Sequence, residues 1–109
     1  MPHDILSEKR LISLLTKNAV EEVEGVSLVQ ESQTGPSYPY HPDVPGVWVH
    51  GPDQSASFAV SVNIVVMGIS VPEAAKRIRS AIMGELRSRN LINLVKEINI
   101  NVKDWAKTA

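Results

Sequence analysis

The sequence predicts an α+β fold: a two-layer sandwich of about four strands with both helices packed on one face of the sheet. Three observations carry this. From Phe58 the apolar residues alternate as Phe58, Val60, Val62, Ile64 and Val66, the period-two pattern of a half-buried strand. Directly after it, Met67-Gly68-Ile69 breaks the strand and Ser70-Val71-Pro72-Glu73 opens a helix, as a capping box with proline in the first turn. A further alternating run, Ile98, Ile100 and Val102 against Glu97, Asn99, Asn101 and Lys103, closes the chain within Val95 to Val102.

Taken in order, Asp4 or Ser7 caps a first helix whose residues Ile5, Leu11, Ile12, Leu15, Ala19 and Val23 fall in one sector of the helical wheel. Leu6 and Leu14 fall outside that sector, as expected of leucines partly covered by a loop. Gly25 is the expected helix stop, because Glu21, Glu22 and Glu24 oppose the helix dipole there. Val26 to Val29 then reads as a short strand. The segment at about 33–46 carries Pro36, Pro39, Pro42 and Pro45 with Tyr38 and Tyr40, too much proline for a central strand, and is expected to be a surface loop. Val47 to His50 resumes as a strand and forms a hairpin with the Phe58 strand through Gly51-Pro52-Asp53-Gln54. In the helix that follows, Val71, Ala74, Ala75, Ile78, Ala81 and Ile82 form one apolar stripe, and the pattern weakens between Gly84 and Asn90. The second face of the sheet is expected to be polar and open, showing Trp48, Ser61, Asn63, Asn99 and Asn101.

Length and composition bound the function. A chain of 109 residues suits a single domain, residues 1–109, with one core; 43% hydrophobic and 21% charged residues are ordinary for a folded protein. The formal charge of -1 gives no global attraction to nucleic acid or anionic lipid. Without cysteine the chain has no disulfide, no thiolate nucleophile and no cysteine zinc site. Met1 to Arg10 lacks the basic-then-apolar pattern of a leader, and nowhere do about 18 apolar residues follow one another as a membrane span requires. A soluble intracellular protein is the expectation, with no direct membrane insertion.

Candidate chemistry is sparse. His3, His41 and His50 have neither metal-ligand spacing nor a cysteine partner, so no metal or other cofactor is expected. His41 and Asp43 lie in the proline-rich segment without a nucleophile context, and Glu21 and Glu22 point different ways on a helix. Gly68 alone, followed by a proline that removes an amide, makes a weak phosphate nest. No enzymatic site results. The residues instead offer two interaction faces: the open sheet face, suited to a second copy of the chain, and a basic helix face at Lys76, Arg79 and Arg87. The second supports an alternative reading as a small RNA-binding module, against which stand the near-zero net charge and the scarcity of stacking aromatics.

Several stretches together resemble a known family. Ala19-Val20-Glu21-Glu22-Val23-Glu24-Gly25-Val26, Val44-Pro45-Gly46-Val47, Val60 to Val66 with Gly68 and Ser70 to Ala75, and Ile98-Asn99-Ile100-Asn101-Val102 resemble, in order and spacing, the alkaline shock protein family of bacterial envelope stress response proteins. The likeness runs from about Leu11 to Lys103. Met67 departs from it, standing where an aromatic is usual, and the proline-tyrosine segment differs from the glycine-rich insertion of other members. The resemblance implies a small cytoplasmic stress protein of the cell envelope, without catalytic residues, that associates with itself. It also implies gathering at the inner face of the membrane through a separate membrane-anchored partner.

Overall fold

The computed structural model describes residues 5–29, 44 and 46–106. Along the chain run α1 (Ile5–Glu21), β1 (Val26–Leu28), β2 (Val47–His50), β3 (Phe58–Met67), α2 (Val71–Ser88) and β4 (Val95–Ala106), with a 3-10 turn at Ile92–Leu94 leading into β4. The α+β class and the two-layer arrangement follow the sequence expectation, and the helices pack against one face of the sheet.

β3 is the centre. Its residues Phe58, Val60, Val62, Ile64 and Val66 are all buried, while Ala59, Ser61, Asn63 and Val65 between them are half-buried on the opposite face. One side of β3 pairs with both β1 and β2, antiparallel: Val26 to Leu28 lie against Val66 to Ile64, and Val47 to His50 against Val62 to Ala59. The two short strands are therefore one column in two pieces. Asn63 sits opposite the break, accepting from the Val29 amide at 2.9 Å and donating to the Gly46 carbonyl at 2.9 Å. Gly46 holds φ +84°, and a Cβ there would meet the Val29 carbonyl oxygen at 2.7 Å, so the chain rejoins the sheet at a point that only glycine fits. The proline-tyrosine segment expected as a surface loop lies at this break; residues 30–43 and 45 are outside the described residues, and of its flank Val44 is buried.

β4 pairs with the other side of β3 and is parallel to it, from Phe58 opposite Val95 to Met67 opposite Ala106. The sheet is thus mixed, and β3, α2 and β4 form a crossover unit. The ladder slips at each end, leaving Lys96 and Lys103 without a partner on β3, and keeps even register between them.

α2 begins as its sequence dictates: Ser70 is the N-cap, its hydroxyl accepting from the Glu73 amide at 3.2 Å, with proline in the first turn. The return half of the capping box is replaced, because the Glu73 carboxylate bonds Arg77 Nε at 3.0 Å. The helix does not weaken at Gly84. It continues to Ser88, and Leu86 is fully buried beside Ala74, Ile78 and Ile82, each large side chain contributing about 1.5–3 kcal/mol through burial. Its end is a Schellman turn: Asn90 has φ 60°, the Leu91 amide donates to the Leu86 carbonyl at 2.8 Å, and the Asn90 amide to that of Arg87 at 3.1 Å.

α1 departs from expectation at three points. It starts at Ile5, ahead of Ser7, which rules Ser7 out as the cap; Asp4 lies outside the described residues, as do the side chains of Ile5 and Leu6. It ends at Glu21 rather than at Gly25, and residues 22–25 form a turn that leads into β1. Its buried arc holds Ile12, Leu15, Ala19 and Val20 together with Ser13 and Thr16, with Val23 buried in the turn beyond it, whereas Leu11 is 39% exposed and Leu14 44%. Thr16 is tolerated in the core because its hydroxyl donates to the Ile12 carbonyl at 2.7 Å, one turn back. At about 100° per residue, Leu11 lies just past the arc and Leu14 opposite its centre.

Candidate functional site

The face of the sheet turned away from the helices is built by side-chain alternation on three columns. Residues on β3 that do not enter the core point to it, and strand register carries their neighbours with them. Trp48, Ser61 and Asn99 form one row, since Trp48 pairs with Ser61 and Ser61 with Asn99. The next row is Asn63 and Asn101, joined by a hydrogen bond from Asn101 Nδ2 to Asn63 Oδ1 of 3.2 Å. All the residues expected to share this face do share it.

Around them, His50, Ala59 and Glu97 form a row towards one end, and Ser27, Val65 and Asp104 one towards the other, with Met67 beyond, 41% exposed. The centre of the face is therefore amide and hydroxyl, flanked by one indole and by apolar patches. Asparagine offers two donors and a carbonyl acceptor, so a row of asparagines can pair with another amide row or with main-chain groups. Amide and hydroxyl groups of this kind act by hydrogen bonding, and the ionisable side chains of the face, His50, Glu97 and Asp104, stand in the rows that flank them.

The basic face comes apart on inspection. Lys76, Arg79 and Arg87 are all exposed on α2, yet Arg79 Nη2 donates to the Ile98 carbonyl of β4 at 3.3 Å and is held against the sheet. Arg77, between them in sequence, is paired with Glu73. What remains is a set of spaced cations, Lys76, Arg79, Arg87 and Arg89, with Arg77 withdrawn from it by its pair with Glu73.

No cluster of His, Asp or Glu suited to a metal ion occurs among the described residues. His50 is exposed at the end of β2, and His3, His41 and Asp43 lie outside the described residues. A shallow depression of about 420 Å³ lies between the turn at Glu24, Gly25 and Val26 and the turn at Met67, Gly68 and Ile69. The basic group on its wall is Arg77, already paired with Glu73. Gly68 has the positive φ, +82°, that its place between strand and helix called for.

Two features escaped the sequence reading. Trp105, 47% exposed, extends β4 beyond Val102 and donates from Nε1 to the Ile69 carbonyl at 2.9 Å, tying the end of β4 to the turn before α2. Asp53 organises the β2–β3 turn: its carboxylate accepts from Ser55 N at 2.9 Å, Ser55 Oγ at 2.8 Å and Ser57 N at 3.0 Å, and pairs with Lys96 at the start of β4. The Lys96 ammonium first, then the Ser57 amide and the Ser55 hydroxyl, hold the Asp53 carboxyl well below the usual carboxylate range. An Asp-x-Ser-x-Ser spacing in a turn is the signal for such a carboxylate cradle.

Among the described residues no helix is long and apolar enough to cross a membrane. Compared with family models, with curated proteins and with solved structures, the chain has no match in any of the three. The resemblance to the alkaline shock family therefore stands on the quoted motifs.

Proposed function

We propose that this chain is a non-enzymatic assembly protein of the bacterial envelope stress response, acting by self-association and by docking onto a membrane-anchored partner. The observation that carries the proposal is the sheet face where Trp48, Ser61, Asn63, Asn99 and Asn101 meet on three adjacent columns, with both helices of the described residues packed on the other side. A flat face with one large aromatic among small hydrogen-bonding residues suits protein contact: the indole supplies buried area and the amides fix register. Resemblance to the alkaline shock family supports the same reading and supplies its cellular setting, the cytoplasm beneath the membrane, with the anchor provided by the partner.

The RNA-binding alternative has less support, because the net charge is near zero, Arg77 is paired with Glu73 and Arg79 spends a donor on the Ile98 carbonyl of β4. Labelled single-stranded RNA at low salt is expected to give no salt-sensitive shift that Lys76→Glu with Arg79→Glu abolishes.

The decisive test is light scattering coupled to size-exclusion chromatography over a concentration series. The parent is expected to form a defined assembly, and Trp48→Ala with Asn63→Arg to lose mass while keeping its fold by circular dichroism. A folded variant that associates as the parent does removes this face as the interface.

A further inference from the structure

We infer that β4 is a second self-association surface, on which two copies of the chain pair antiparallel, edge to edge, about a two-fold axis at Ile100. This rests on the self-association proposed above but uses the edge of the sheet rather than its face.

The open hydrogen-bonding groups follow from the ladder. Asn63 and Met67 of β3 turn their main-chain groups towards the β1–β2 column, where they bond Gly46, Val29 and Gly25. Val60, Val62 and Ile64 therefore turn theirs towards β4. In a parallel ladder such residues bond to the two neighbours of their partner, here residues 97 and 99, 99 and 101, and 101 and 103. The partners themselves, Ile98, Ile100 and Val102, must direct their amides and carbonyls away from β3, to the outside. The Arg79 bond to the Ile98 carbonyl is consistent with that direction, and a carbonyl oxygen has a second lone pair for another donor.

Outward groups on Ile98, Ile100 and Val102 restrict an antiparallel partner to registers that set these residues opposite one another. With the axis at Ile100, Ile100 faces itself, Ile98 faces Val102 and Asn99 faces Asn101 of the second copy. The same register sets Glu97 opposite Lys103, twice by symmetry. Moving the axis by one residue either way sets Glu97 opposite Asn101 or Trp105, and Lys103 opposite Val95 or Asn99, so charge complementarity selects the Ile100 register. Glu97 and Lys103 make no ion pair within the chain among the described residues.

The apolar side agrees. Ile98, Ile100 and Val102 point towards the helices, yet they are only half-buried where their partners Val60, Val62 and Ile64 are fully buried. Pairing would set Ile98 beside Val102 and Ile100 beside Ile100 across the axis, continuing the core row through both molecules. The second copy thus completes a layer that one chain leaves open at its edge.

The test reverses charge and reads register. Sedimentation equilibrium from about 1 µM to about 1 mM spans weak and moderate affinities. In the Trp48→Ala, Asn63→Arg background, which removes the face contact, a dimer is expected to persist. Glu97→Lys in that background should weaken it by about tenfold, and adding Lys103→Glu should restore it, because the opposed pairs are then reversed rather than lost. Since the chain has no native cysteine, an equal mixture of Asn99→Cys and Asn101→Cys chains should give a disulfide-linked dimer that neither variant gives alone. Loss of all association in the face variant, unchanged dimerisation in Glu97→Lys, failure of the reversed pair to rescue, or no cross-link specific to the mixture would each overturn the edge pairing. The face proposal fails separately, when its own variant leaves assembly of the parent unchanged.

Discussion

Along one side of β3 the pairing column is cut in two. β1 has 3 residues and β2 has 4, and the sequence between Val29 and Gly46 carries prolines at 36, 39, 42 and 45. Along the other side β4 runs for 12 residues without a proline, and its even register is broken only at Lys96 and Lys103. Short strands and interruptions are what sheets use to keep an edge from recruiting further strands; a long uninterrupted edge invites them. By that contrast, the self-association through strand pairing proposed above belongs at β4 and not on the β1–β2 side, where the column is broken opposite Asn63.

The strongest way to break the contrast is at the point where the interrupted column closes. Gly46→Ala places a Cβ against the Val29 carbonyl in a backbone region strained for any side chain, and is expected to destabilise the fold by about 2–4 kcal/mol. Gly84→Ala is the opposing control: its Cβ meets nothing within 4 Å inside α2, and it should stabilise by about 0.5–1 kcal/mol. Urea titration of both variants checks the pair. Equal effects of one sign would show that the Gly46 junction is not what holds the two halves of the column in line.

A second change would repair the interruption instead of straining it. Val29 and Gly46 flank Asn63 from the same side, and a Cβ on Gly46 would meet Leu28 and Val29. Joining Val29 to Gly46 by deleting residues 30–45 would leave two residues opposite one, the arrangement of a β-bulge. The shortened chain should fold with stability within about 2 kcal/mol of the parent, since lost burial of Val44 is offset by the loop-closure entropy returned. Circular dichroism and denaturant titration test the fold. A deletion variant that fails to fold would mean that residues 30–45 contribute to the core and are not an insertion into the column.

How much of this was legible in the sequence depends on whether the signal was local. The Phe58–Val66 alternation, the Ser70 cap and the placing of Trp48, Ser61, Asn63, Asn99 and Asn101 on one face all follow from side-chain periodicity, which a strand's own residues determine. Direction and neighbours do not follow from it. Alternation on β4 gives its two faces but not that it runs parallel to β3, and nothing local shows that Val26–Leu28 and Val47–His50 belong to one column. Leu11 was assigned to the core by apolarity, whereas the arc that is buried includes Thr16 and Ser13, whose hydroxyls satisfy themselves on carbonyls one turn back. The end of α2 carries a local signal too, since Leu86 is one turn beyond Ile82 and Asn90 suits the left-handed C-cap, which together outweigh the weaker pattern between Gly84 and Asn90. For the candidate edge, the mirror of Glu97 and Lys103 about Ile100 is present in the sequence. Only the pairing of β3 with β4 shows which main-chain groups remain open to use it.

The smallest expected effect lies where the two sides of the sheet are tied together. Asp53, in the turn between β2 and β3, pairs with Lys96, the first residue of β4 to leave register, so one exposed carboxylate links the interrupted side to the continuous one. Its carboxyl ionises more readily folded than unfolded because Lys96 and the Ser57 and Ser55 donors favour the charged form. A carboxyl lowered in this way contributes stability that is fully present above its unfolded value, near pH 4, and is lost as pH falls from there towards the lowered folded value. Asp53→Asn should therefore melt below the parent at pH 7, and the gap between them should narrow as the pH is taken below about 4, where Asp53 of the unfolded parent takes up a proton while the folded one is still ionised. Lys96→Ala should remove the part of the gap that depends on the ion pair and leave the part due to the serine and amide donors, and salt should screen the first more than the second. A parent-to-variant gap that stays constant from pH 7 to pH 3 would show that Asp53 acts only by shaping its turn, and that β4 is held in place by its ladder with β3 alone.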